Sequence, residues 1–227
     1  MMDRQEYSAI EAYMLTCMQD SAHDKDHVYR VLYNALAIAR EEGEMDMAVL
    51  VAACLLHDIG RPDQIADPSL CHAQVGADRA YAFLRARGWA ADKAEHVRQC
   101  IRTHRFRKGD APQSLEARIL YDADKLDVTG AIGAARTLQY NGALGEPIYT
   151  TAADGSILDG SEPGEPDSFF REYRCKLARV YDRFLTESGA AMAAQRRAAA
   201  EAFYQSVLEE VNGSLSAGRG ELEKLLK

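Results

Sequence analysis

The residues best suited to chemistry are His27, the adjacent pair His57-Asp58, and Asp124. His57 and Asp58 sit in LLHDIG, where a very apolar stretch ends. A histidine at a helix C-terminus is favoured by the helix dipole, with Gly60 as a plain stop, but an acid at that end needs a cation nearby. His27 shares a helical face with Val31 and Ala35, so it points toward a core as a hydrogen-bonded histidine or as a ligand. Asp124 lies in DADKLD on the stripe Leu120, Ala123, Asp124, Asp127. A carboxylate on such a face is costly unless it is paired, and the plain alternative is a solvated acidic helix with Lys125 as partner. Taken together, two imidazoles and two carboxylates suit a divalent ion such as Mn, Fe, Co, Ni or Zn. In an octahedral ion they leave positions for water and a phosphate oxygen.

Other polar residues cluster around this set. His72 and His104 fall between the His-Asp pair and Asp124. His23 and His27 stand at i and i+4, a helical zinc spacing, but the intervening residues are Asp-Lys-Asp and no Glu follows His23. His23 and Asp24 are therefore read as substrate-side or supporting groups. Arg102, Arg105, Arg107 and Lys108 surround His104. Guanidinium groups bind phosphate through two parallel hydrogen bonds, so this is either a phosphate-chain site or a solvated basic turn. Arg61 and Lys125 follow the two Asp positions closely, and Arg30, one turn after His27, is placed to hold a ligand carboxylate.

Helices must position these groups. Periodicity predicts helices over 3–19, 25–42 (started by Asp24, ended by Gly43), 46–58 (stopped by Gly60 and Pro62), 72–87, 92–104, 114–128 and 130–141. Alternating β patterns are missing. The stretch 141–167 holds five of the 16 glycines and three of the six prolines, which predicts a long loop. Helices over about 168–187 and 190–211 follow, and then GSLSAGRG as a joint to a tail or short terminal helix. The expected architecture is all-α: one domain over 1–212, with its core at about 20–150 and closing helices at about 168–212, and a tail over 213–227.

Composition narrows the partners. With 27 Lys+Arg against 35 Asp+Glu, the formal charge of −8 argues against an extended nucleic acid or an anionic membrane. Five dispersed cysteines with no CxxC argue against a disulfide framework and for a reducing compartment. The longest apolar run, Met47 to Leu56, is about half of what spans a bilayer, and MMDRQEYS lacks a signal core. The expectation is a soluble cytoplasmic protein with a small phosphorylated substrate.

On SAHDKDHVYRV, LLHDIGRP, CHAQVGA, IRTHRFR and SLEARILYDADKLDVTGAIGAAR, the chain resembles the HD-domain metal-dependent phosphohydrolases. The likeness is to the short bacterial members, some of which are nucleotide pyrophosphohydrolases. It covers about 20–150 and continues weakly to about 212, while the loop 150–167 departs from it. The resemblance implies an HD helical bundle with His27, His57, Asp58 and Asp124 as ligands to a divalent metal (Mn, Fe, Co, Ni, Zn or Mg). It implies that Asp58 serves catalysis, and that His72 and His104 bind a second metal or contact the phosphate, with His104, His72 and Lys125 as candidate acids. Arg61, Arg102, Arg105, Arg107, Lys108 and His23 are expected on the substrate side. The implied reaction converts a nucleoside triphosphate to a monophosphate and pyrophosphate. The alternatives are a nucleotide monoesterase, a mixed-valent di-iron oxygenase using four His and two Asp, and a non-catalytic metal- or nucleotide-binding module. A homodimer is compatible with the sequence.

Overall fold

The computed structural model describes residues 2–18, 25–106 and 110–226. His23, Asp24, Arg107 and Lys108, and with them the N-cap expected at Asp24, lie outside the described residues. The chain forms two compact units, the first made of residues 1–127 with 184–190, the second of 128–183 with 191–227.

The first unit is built from α1 (Arg4–Cys17), α2 (Lys25–Ala39), α3 (Met47–Leu56), α4 (Arg61–Ala66), α5 (His72–Ala86), α6 (Ala91–Thr103) and α7 (Leu115–Leu126). Helix α3 is its axis. The Asp46 carboxylate caps α3 by accepting from the Ala48 and Val49 N–H groups at 3.0 and 3.3 Å. The run MAVLVAACLL is apolar all round because α1, α2, α5, α6 and α7 all pack against it. Helix α2 presents Val28, Val31, Leu32, Ala35 and Ile38 at 3–4 residue steps to the same core.

Two boundaries differ from the sequence expectation. Helix α2 ends at Ala39, and Gly43 does not adopt the left-handed conformation of a C′ residue. Pro62 begins a helix instead of ending one: it stands in the first turn of α4, where its missing N–H has no partner to lose. Gly60, which precedes α4, is required to be glycine for a steric reason. A Cβ there would lie 2.3 Å from the His72 carbonyl oxygen and 2.7 Å from the Gly76 amide nitrogen. Bare backbone at Gly60, facing a second glycine at Gly76, lets α5 reach the turn that carries the His-Asp pair.

The second unit holds α8 (Gly130–Leu144), the antiparallel strands β1 (Thr150–Thr151) and β2 (Ile157–Leu158), α9 (Phe169–Cys175), a 3-10 turn (Leu177–Asp182) and most of α10 (Glu187–Leu225). The predicted loop is thus partly ordered: α8 runs on to Leu144, and a hairpin pairs Thr150 with Leu158 and Thr151 with Ile157. The helix expected over 168–187 is broken into α9 and the 3-10 turn, while α10 continues through GSLSAGRG, where a joint was expected. An aromatic core of Phe169, Phe170, Tyr173 and Tyr204 holds this unit, with Tyr173 stacked on Tyr204 at 4.2 Å. Among the described residues, no helix is long and apolar enough to cross a membrane.

The glycine crossing gives a test. Gly60→Ala forces backbone apart and is expected to cost about 1–3 kcal/mol, read as a Tm lower by about 2–10 °C in thermal circular dichroism. Gly43→Ala, which meets nothing within 4 Å, should leave Tm unchanged.

Candidate metal centre

The fold brings three helix C-termini to one place in the first unit. His57 caps α3 and Asp58 follows it; His104 caps α6; Asp124 lies in the last turn of α7 and Asp127 caps it. Each such end carries about half a negative charge, so the locus favours a cation before any side chain is counted. His27, in the first turn of α2, and His72, the first residue of α5, complete it.

The four imidazoles share one orientation. Nδ1 of His57 donates to the Cys54 carbonyl at 2.7 Å, that of His104 to the Ile101 carbonyl at 2.6 Å, and that of His72 to Gln64 Oε1 at 2.5 Å. His27 Nδ1 donates to Asp127 Oδ2 at 2.7 Å. The Nδ1 partners of His27, His57 and His104 are acceptors, which places a proton on each of those nitrogens, while His72 Nδ1 faces both Gln64 Oε1 and the Arg105 guanidinium. All four Nε2 atoms turn toward the carboxylates. His27 Nε2 stands 3.3 Å from Asp124 Oδ1, 3.6 Å from Asp58 Oδ2 and 3.4 Å from His57 Nε2. His72 and His104 Nε2 stand 3.3 and 3.7 Å from Asp58 Oδ1. Donors about 2.1 Å from a common ion lie about 3.0–3.4 Å apart; three of these separations fall in that range, and 3.6 and 3.7 Å lie just above it.

Two triads result, His27-His57-Asp124 and Asp58-His72-His104, each with its ligand atoms within 4.8 Å of one another. Asp58 faces both, with Oδ2 3.6 Å from His27 and His57 and Oδ1 toward His72 and His104. His57, Asp58, His72 and His104 are at most 1% exposed. Asp58 Oδ2, His72 Nε2 and His104 Nε2 have no hydrogen-bond partner among the described residues. Buried polar atoms of this kind are normally satisfied, and cations held by the two triads would satisfy them, Asp58 Oδ2 on the His27 side and the two Nε2 atoms on the other. The donor set therefore fits a divalent metal ion.

Electrostatics agree. Burial alone would lower His27, yet hydrogen bonds to Asp124, Asp127 and Asp58 raise it to about 10. Burial would raise Asp58 and Asp124, but the neighbouring histidines, with Arg61 for Asp58, hold both below the ordinary carboxylate range. Burial pushes His72 down to about 2 and His104 to about 4, so both rings stay neutral. The acids draw positive charge to this point, held as a proton on His27 when no metal is bound, while His72 and His104 stay neutral and able to ligate.

The other expected residues are spread around the centre. Arg61 Nε donates to Asp58 Oδ1 at 3.0 Å. Arg105 Nη1 stands 3.4 Å from His72 Nδ1. The Lys125 ammonium lies 4.4 Å from the centroid of the Tyr121 ring, next to Asp124. Arg102 turns instead to Asp110, at 3.4 Å. Arg30 does hold a carboxylate, but that of Asp127, behind His27. Of the three acids in DADKLD, Asp122 is structural: it accepts from the Leu185 and Thr186 N–H groups at 2.9 and 2.7 Å, anchoring the start of α10. Gln64 was not foreseen, and no sequence signal marks it. Asp127 was visible on the same stripe as Asp124.

The comparisons with known proteins bear on this geometry. Residues 25–129 match the family model for the HD domain, a span that contains all six candidate ligands. The chain carries an HD domain. It is 26% identical over 202 residues to the uncharacterized protein YpgQ of Bacillus subtilis, covering 86% of this chain and 87% of that one. An HD-superfamily hydrolase of Bacillus thuringiensis has a similar structure, with a TM-score of 0.69 and 25% identity over 92% of this chain and 98% of its own. The crystal structure of YpgQ in complex with ADP matches with a TM-score of 0.70 and 25% identity, over 91% and 98% of the two chains. The HD-domain match and the buried His/Asp donor set coincide on the same residues of this chain.

An ion that binds only the folded chain must stabilise it. Adding Mn or Co to metal-stripped protein at 100 times its Kd should contribute about 2.7 kcal/mol, seen as a Tm higher by roughly 5–10 °C and reversed by a chelator. Asp58→Ala should lose this response.

Proposed function

We propose that the HD domain hydrolyses a nucleoside triphosphate to its monophosphate and pyrophosphate, with His27, His57, Asp58 and Asp124 holding the metal ion. The observation that carries the reading is the convergence of imidazole lone pairs and carboxylates on one buried point, open on one side. Asp124 is the most exposed of the six ligand candidates, at 26% of its side chain, and Arg61, at the same value, stands beside Asp58. A phosphate chain approaching from that side meets the acceptor cluster at its reacting phosphorus and guanidinium groups alongside it.

When bound, a divalent ion lowers the pKa of water and polarises a phosphoryl oxygen. The chain's own groups do the rest. Asp58 and Asp124 accept hydrogen bonds from the attacking water and so aim its oxygen at phosphorus. Arg61 and Arg105 offset charge on the phosphate oxygens, and the buried walls of α3, α5 and α6 keep bulk water away. Lys125 is the candidate to protonate the leaving phosphate. His72 and His104, with Nδ1 set against Gln64 Oε1 and the Ile101 carbonyl and Nε2 without a hydrogen-bond partner among the described residues, suit a ligand role better than a phosphate-contact or acid role. The complex of YpgQ with ADP supports a nucleotide as the substrate class.

The second triad supports a two-ion version, in which His72 and His104 hold another metal and Asp58 bridges. The same six residues form the array of the di-iron oxygenase alternative. Iron content and oxygen uptake after anaerobic purification separate that chemistry from hydrolysis.

The decisive assay is a panel of nucleotides and phosphomonoesters with Mn, Co, Ni, Mg and Fe. Pyrophosphate release from a triphosphate is expected; orthophosphate alone would favour a monoesterase, and turnover of nothing would defeat both. His57→Ala and Asp58→Ala should each abolish turnover while far-ultraviolet circular dichroism still reports a helical protein.

A further inference from the structure

The four candidate imidazole ligands are not supported alike. Three donate Nδ1–H to neutral oxygens: the carbonyls of Cys54 and Ile101 and the amide of Gln64. His27 alone among them donates to a carboxylate, that of Asp127. Asp127 is 1% exposed and caps the C-terminus of α7, where the helix dipole disfavours an acid. A buried acid at that end is retained only if cations surround it. Arg30 supplies one: its Nε donates to Asp127 Oδ1 at 2.7 Å and its Nη2 to Oδ2 at 3.1 Å. Both guanidinium hydrogen bonds and the imidazole hydrogen bond therefore converge on a single carboxylate. The guanidinium fork fixes the carboxylate plane, and the carboxylate fixes the ring of His27.

From this geometry we infer that Asp127, gripped by Arg30, is the positioning residue that makes the His27-His57-Asp124 triad the tighter half of the centre. The inference rests on the metal-binding reading above. A carboxylate behind a ligating histidine holds its proton on Nδ1, sets its ring angle and raises the basicity of Nε2. The other triad has the opposite surroundings. Arg61 already occupies Asp58 Oδ1, and Arg105 stands against His72 Nδ1. Two guanidinium groups stand beside one triad, whereas behind the other the Arg30 guanidinium is matched by the Asp127 carboxylate that holds the ligand ring, and this difference ranks the two for a cation. The first ion enters the His27 side, and any second ion binds more weakly at His72 and His104.

The test is a titration of the metal-stripped, full-length protein with Co(II) alone, read by its visible absorption, with no substrate present. Asp127→Asn keeps the size and an acceptor but removes the charge, and should weaken the first ion by about 10–100-fold and shift the absorption band. Arg30→Gln, at a position one-third exposed, should fold normally and weaken the same ion by a smaller factor, so the test survives if Asp127→Asn does not fold. Asp122→Asn, a buried acid on the same helix that holds only the start of α10, should lower Tm and leave Co(II) affinity as in the wild type. Wild-type affinity and spectrum in both Asp127→Asn and Arg30→Gln would overturn the inference. Equal weakening by Asp122→Asn would overturn it too, since the effect would then be general loosening. A wild-type chain that binds no Co(II) would instead overturn the metal-centre reading itself.

Discussion

Everything in the first unit depends on one electrostatic constraint: carboxylates and helix C-termini gathered in a dry place require positive charge there. Asp58 and Asp124 lie where α3, α6 and α7 all end, with the cap of α7 supplied by a third acid, Asp127. Hydrophobic burial could close this bundle without any of them. Their burial where three helices end is a standing cost that a divalent ion would remove and that no arrangement of neighbouring apolar groups can. The proton held on His27 has the same origin, since the acids around it raise its affinity to about 10.

Meeting that constraint takes unusual closeness, and the packing supplies it. Helix α3 is apolar on every side and is covered by five neighbours, so its C-terminal turn is fixed in position before the site is assembled. Gly60 and Gly76 then allow α5 to touch the turn that carries Asp58, which places His72 Nε2 3.3 Å from that carboxylate. On α7 a single helical segment serves two ends. Asp124 and Asp127 face the centre, while Asp122 grips the backbone at Leu185 and Thr186 and sets where α10 begins. Site and scaffold thus share one helix, divided by its faces.

The distribution of charge is compatible with the proposed phosphorylated substrate despite the acidic average. A net −8 describes the chain as a whole, but the acids of the centre are internal and would be matched by an ion, and Arg61 and Arg105 lie by Asp58 and His72. The same placement makes the centre unsymmetrical. One triad has a carboxylate behind it and the other has guanidinium groups beside it, so two similar sets of ligands need not hold ions equally.

The amino-acid sequence by itself determined the helical class, the run of helices through the first unit, and the candidates His27, His57, Asp58, His72, His104 and Asp124. Apolar periodicity reports which face of a helix is buried, and a histidine or acid on such a face is visible without coordinates. It misjudged features that local pattern does not encode. Pro62 reads as a stop but begins α4; GSLSAGRG reads as a joint but continues α10; the 141–167 loop contains a hairpin. Arg102 and Arg105 are near neighbours in sequence, yet one turns to Asp110 and the other to His72. Only the tertiary structure decided that Asp58 faces both triads, that Asp127 and Gln64 stand behind two of the ligands, and that Asp122 does not belong to the centre. The reason is geometric. A residue's type and helical phase set what it can do and which way it points, but the partner it meets comes from a helix tens of residues away, and that distance is closed only by packing.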